Sequence, residues 1–160
     1  MKKQALRVVV MFALLFSLAT VGANAQTAQQ RIVVNIPFEF VVGQKTLPAG
    51  EYDIKRIARN SEKALLVRST DGRKSEMIIT HTAEAGTARE AQPTQVSFHR
   101  YGDKYFLFQI WTQGASVGRE LPASQQERDL RRELERNTSK MDIAHLISAP
   151  QTVHVKARLK

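Results

Sequence analysis

The histidines at positions 81, 99, 145 and 154 are the side chains best suited to acid–base or metal chemistry near neutral pH. None has a second histidine at the spacing zinc sites favour, and H-E-x-x-H is absent. His81 and His99 could share a metal only by meeting across a sheet. Ser97, His99 and Asp103 form the one close Ser/His/Asp set. Ser97 and His99 fall on one strand face, so a small periplasmic hydrolase using His99, with Ser97 or a metal, is the enzymatic alternative. Against it, Asp103 occupies a turn position that favours aspartate on conformational grounds, and there is no G-x-S-x-G elbow. Glu39, Asp53 and Glu76 lie on strands without a readable acid–base pairing. No glycine sits in a phosphate-cradling motif. The expectation is a domain with no catalytic residue, no metal and no cofactor.

Two groups could bind rather than catalyse. Arg119, Arg128, Arg131 and Arg132 could hold phosphate or carboxylate groups, although interleaved acids also fit a salt-bridged, solvated helix. Tyr101, Tyr105, Phe106, Phe108 and Trp111 could line an apolar pocket, and ordinary core packing explains them as well. The expected partner is an anionic envelope component or a small apolar ligand.

The compartment follows from the amino terminus. Lys2, Lys3 and Arg7 precede an apolar run from Val8 to Leu18, and Ala23-Asn24-Ala25 supplies the small residues a signal peptidase reads. Cleavage between Ala25 and Gln26 would send residues 26–160 to the periplasm or beyond. Losing three cations takes the net charge from +9 to +6. Export makes nucleic acid an improbable target for that basicity. Zero cysteines exclude a disulfide framework, so the core must hold by packing. No second long apolar run follows, and the mature chain is expected to be soluble rather than transmembrane.

The elements that would position these side chains read mainly as strands. Ile32, Val34, Ile36, Phe38, Phe40 and Val42 alternate along one face, with Pro37 implying an edge or a bulge. Leu47-Pro48-Ala49-Gly50 is a turn into a second strand reaching Ile57. Ala64–Ser69 and Glu76–Thr82 flank an Asp71-Gly72 hairpin, and Met77-Ile78-Ile79 suggests burial on both faces. Residues 83–93 read as a mobile loop. Val96–Tyr101 and Lys104–Trp111 form a hairpin that opposes His99 to Phe106 and Phe98 to Leu107. Ser124-Gln-Gln-Glu127 is a capping box for a surface helix over about residues 125–136, with Leu130 and Leu134 as its apolar stripe and Glu127–Arg131 as a supporting pair. Val153, Val155, Ala157 and Leu159 alternate with Thr152, His154, Lys156 and Arg158, which reads as an edge strand guarded by basic residues. The fold class is therefore all-β, mainly antiparallel: a small meander barrel or sandwich of six to seven strands with one C-terminal surface helix. The divisions are a signal peptide at 1–25, a flexible leader at 26–31, the β-domain at 32–122, the surface helix at 123–137 and a tail at 138–160 holding the last strand.

The segments VNIPFEFVVGQKTLPAGEY (34–52), FHRYGDKYF (98–106), Ile110-Trp111 and GRELP (118–122) resemble a family of small uncharacterised secreted β-rich proteins of environmental bacteria. The likeness spans roughly residues 32–136. It implies an exported β-domain and brings no activity, cofactor or site residue with it.

Overall fold

A computed structural model of the chain describes residues 31–58, 61, 63–84, 93–138 and 150–160. The expected signal peptide and its Ala25/Gln26 junction, the leader through residue 30, His145 and most of the 83–93 loop lie outside these residues. The strands are β1 (Arg31–Ile36), β2 (Phe40–Val42), β3 (Lys45–Leu47), β4 (Gly50–Arg56), β5 (Ala64–Ser69), β6 (Ser75–Ile79), β7 (His81–Glu84), β8 (Gln95–Tyr101), β9 (Lys104–Trp111), β10 (Val117–Glu120) and β11 (Gln151–Leu159). One helix, α1 (Gln125–Thr138), follows β10. The fold is all-β with a late helix, but the described residues form eleven strands rather than six or seven. The sheet is also mixed: β2 runs parallel to β9 at Val41 and Phe106, and the other pairings are antiparallel.

Two of the extra strands come from breaks inside expected ones, while β3 and β10 form where no strand was expected. Pro37 has no N–H to give a ladder, so β1 stops at Ile36 and the chain restarts as β2. The apolar stripe survives that break, since Ile32, Val34, Ile36, Phe40 and Val42 all enter one core. β1 is no edge, because it pairs with both β4 and β11. The expected strand from Glu76 to Thr82 divides at Thr80, whose N–H and hydroxyl both donate to the Lys63 carbonyl, at 2.7 and 3.0 Å. Beyond Thr80 the chain leaves β5, and β7 pairs with β10 instead.

The sheet runs β3-β2-β9-β8-β11-β1-β4-β5-β6, with β10 joining β9 to β7. Because β6 leads directly into β7, this path curls into a nearly closed barrel-like sheet rather than a meander. The last strand is not a guarded edge. Residues 151–156 pair with β8, and residues 157–159 pair with β1. Met77 and Ile79 are not buried, being 63 and 65 % exposed, and only Ile78 between them points inward.

The barrel interior is packed with aliphatic and aromatic side chains. Phe40 meets Tyr52 and Phe98 edge to face, and Phe38 stacks on Tyr105 with centroids 3.8 Å apart. The Tyr52 hydroxyl donates to the Pro48 carbonyl at 2.6 Å and closes the expected 47–50 turn. The β8–β9 hairpin turns at Gly102, where φ is +63°. On the outer side Gly118 lets β10 lie against the Trp111 ring, and any Cβ there would collide with ring carbons. Gly118→Ala should therefore cost about 1–3 kcal/mol by overpacking. A lowered urea midpoint checks this; an unchanged one would mean that the ring has somewhere else to go.

Candidate functional site

The hairpin opposes His99 to Phe106 and Phe98 to Leu107, the pairing its sequence implies. The register then slips between Ser97 and Phe98, leaving Phe108 as the extra residue of a bulge. Outward-facing Ser97, His99 and Tyr101 thus share the outer face with Phe106 and Phe108. The bulge lays the Phe108 ring against His99, with centroids 3.8 Å apart and planes 12° from parallel.

α1 covers this face. Ser124 caps it, its hydroxyl accepting the Glu127 N–H at 3.0 Å. Only that half of the capping box forms. The Glu127 carboxylate turns into the sheet, where Oε1 lies 2.7 Å from His99 Nδ1 and 3.3 Å from the Tyr101 hydroxyl. As a carboxylate it can only accept, so both neighbours donate to it. Glu127 is 2 % exposed, and the expected Glu127–Arg131 pair gives way to this clasp. Leu130 and Leu134 complete the contact by packing on Val41, Tyr101 and Phe106. Residues 127, 130 and 134 share one helix face, so the signal was in the sequence as an acid on the apolar stripe.

The serine–histidine set separates into two pairs. Ser97 Oγ lies 2.8 Å from His154 Nδ1, and His99 belongs to Glu127. The Ala157 N–H bonds to the Thr94 carbonyl, which makes Ser97/His154 a non-hydrogen-bonded pair of the β8–β11 ladder. Side chains approach most closely at such pairs. Ser97 has no exposed surface, so no substrate reaches its hydroxyl in this arrangement. Asp103 stays in the hairpin turn. His81 and His99 do not meet, since β10 and β9 lie between their strands. Asp53 is held by Arg31 at 2.7 Å and Glu76 by Lys45 at 2.8 Å, each on its own part of the sheet. Among the described residues, no three His, Cys, Asp or Glu side chains gather as a metal site.

The two expected binding groups are dispersed. Arg128 donates to the Ala123 carbonyl and to Gln125 Oε1, Arg132 lies 3.4 Å from Asp129, and Arg131 is exposed. Arg119 sits apart from them on β10. The five aromatic residues divide between the two sides of the sheet. Tyr105 joins the barrel core, whereas Tyr101 and Phe106 pack under α1. Trp111 covers Gly118, and Phe108 covers His99.

A cleft of about 260 Å³ opens elsewhere, at one mouth of the barrel. Ile32, Ile54, Leu65 and Ile110 of the core line it, together with the basic residues Lys55, Arg56 and Arg119. The β9–β10 turn, including Thr112 and Ala115, forms another side. This cleft draws one to three residues from each of five strands and a turn, so no local pattern announced it.

No family model, curated protein or solved structure matches the chain.

The Glu127 clasp has measurable consequences. Burial first, and then the Glu127 charge, pushes the Tyr101 phenol from 10.0 up to about 12. Tyr101 therefore stays neutral in the fold while the unfolded chain ionises. Stability is intact below pH 10 and declines until about pH 12, and Tyr101→Phe should make that alkaline decline shallower. Glu127→Ala leaves two donors without their acceptor and should lower stability by about 1–3 kcal/mol. Urea melts of both variants across pH 8 to 12 check the pair.

Proposed function

We propose that this chain is an exported, non-enzymatic binding domain of the bacterial cell envelope, and that the barrel mouth is its binding site. The supporting observation is the cleft itself, with four core aliphatic residues and three basic residues in its lining. Its volume equals roughly eight or nine waters of liquid, enough for a short acyl chain or a comparable small apolar group. The cations favour an anionic head at the opening, where partial burial strengthens Coulomb attraction. The leader at residues 1–25, cleaved after Ala25, supports export, and the resemblance to small secreted β-rich proteins supports the same compartment. No helix of the described residues is long and apolar enough to cross a membrane.

Catalysis by His99 is the weaker reading. Its Nδ1 is engaged by Glu127, and Ser97 is sealed beneath His154. An envelope contact through the arginine helix is also less favoured, because Arg128 and Arg132 are engaged within the helix and its cap.

Titration of the purified mature chain with decanoate, decyl phosphate and decyltrimethylammonium, read by native mass spectrometry and calorimetry, tests the proposal. The two anions should bind and the cation should not. Ala115→Trp should block the cleft, and Lys55→Glu should weaken anion binding by about tenfold or more. Arg128→Glu with Arg132→Glu should leave binding unchanged. Equal binding of the cation, or full binding by Ala115→Trp, would overturn the proposal.

A further inference from the structure

Among the described residues, the barrel wall is incomplete beside β6. Ser69 N–H bonds to the Lys74 carbonyl, and Thr80 N–H to the Lys63 carbonyl. In the antiparallel β5–β6 register these bonds make 74, 76, 78 and 80 the positions that exchange hydrogen bonds with β5. Ser75, Met77 and Ile79 must then direct their N–H and C=O groups the other way. One independent contact agrees, since the Ser75 carbonyl accepts the Lys45 ammonium at 3.1 Å from that side. Lys45 also holds Glu76 at 2.8 Å and the Gln44 N–H donates to Glu76 Oε1 at 3.3 Å, so contacts through the Lys45 and Glu76 side chains close this end of the seam. Among the described residues, no strand pairs with the outer edge of β6.

That edge is also apolar. Met77 and Ile79 are 63 and 65 % exposed. Leu66 and Ala64 lie opposite Met77 and Ile79 on β5 and are half-buried. Protein edges are usually blunted by a charge, a proline or a covering loop, and a long-side-chain apolar edge is the surface to which an extended peptide adds as a strand. Arg73 pairs with Asp71 at 3.8 Å, so beside the Lys45–Glu76 pair the charges that flank this edge are Lys74 at one end and Lys63 at the other. Glu76 is already taken by Lys45. Antiparallel pairing of two β6 strands centred on Met77 would bring Lys74 of each copy toward the Lys63 end of the other. Like charges therefore oppose a second copy of this chain and favour an acidic strand.

We infer that the open edge of β6 docks an extended segment of another protein by strand addition, with apolar residues at alternate positions and acidic residues at both ends. Main-chain bonds to Met77 and Ile79 give the affinity, their side chains receive the apolar residues, and the lysines select the acidic flanks. This surface is separate from the cleft at the barrel mouth.

The probe is a capped peptide of sequence EEVTVTVEE, compared with KKVTVTVKK and with an N-methylated form of the first. Amide exchange followed by NMR should show the acidic peptide slowing exchange at Met77 and Ile79 by about tenfold or more, with the lysine peptide at least about tenfold weaker and the N-methylated one inactive. Met77→Pro deletes an edge N–H that β5 does not use, so the fold should persist while binding is lost. Met77→Lys tests the same edge if the proline variant does not fold. Equal binding of the lysine peptide, no protection at Met77 and Ile79, or unchanged binding by a folded Met77 variant would overturn the inference. So would a sedimenting dimer protected at this edge without any peptide.

Discussion

The barrel depends on how β11 divides its hydrogen bonds. Its first six residues pair with β8, its last three with β1, and Arg31 and Lys160 exchange backbone bonds at 3.1 and 2.8 Å. One strand from the carboxyl end thereby ties the amino-terminal strand to the central β8–β9 hairpin. Without it, β1-β4-β5-β6 would be a sheet with an apolar face and nothing on one side to continue it. In a chain without cysteine, this non-local pairing does work that a disulfide does in many small exported domains. Such a closure couples residues more than a hundred positions apart, so folding should wait on it.

Closing the barrel creates two apolar layers with different tasks. The interior is filled by residues from most of the strands, and a cleft opens at its mouth. The outer layer is small and asymmetrical: α1 lies on Val41, Tyr101 and Phe106, and Glu127 joins it to His99 and Tyr101. A buried carboxylate is costly unless its acceptors are used, and the helix is specified in one position because only there are they used. The residues that looked most catalytic in the sequence are thus accounted for by assembly. His99 and Ser97 each fasten a separate element, α1 and β11, to the face of β8.

Local signals served well where the structure is local. The alternation from Ile32 to Val42, the Pro48 turn, the register of the β8–β9 hairpin and the Ser124 cap are all visible in short windows of sequence. The failures share one cause, which is that periodicity reports a face without naming the neighbour. Alternation at 152–159 is the same for an edge strand and for one that bridges two partners. Met77-Ile78-Ile79 looks buried on both faces, yet the chain turns at Thr80 and leaves two of the three outside. Glu127 satisfied a capping pattern, although its place on the Leu130–Leu134 stripe pointed into the sheet. Pro37 was legible as an interruption, but not as the point where the chain crosses from one side of the barrel to the other. The cleft and the Ser97–His154 contact needed the closed topology, and no spacing rule supplies that.

Native-state hydrogen exchange along β11 tests the closure most directly. The bonds at Ala157 and Lys160 fix which amides point to a partner: Val153, Val155 and Ala157 toward β8, Arg158 and Lys160 toward β1. The account predicts that Val153, Val155, Ala157 and Arg158 open only with the whole domain, at the same free energy as the amides of the β8–β9 hairpin, while Thr152 and His154 exchange faster. Uniform rapid exchange along β11, with the β8–β9 hairpin still protected, would show that the barrel stands without its last strand and would contradict the account.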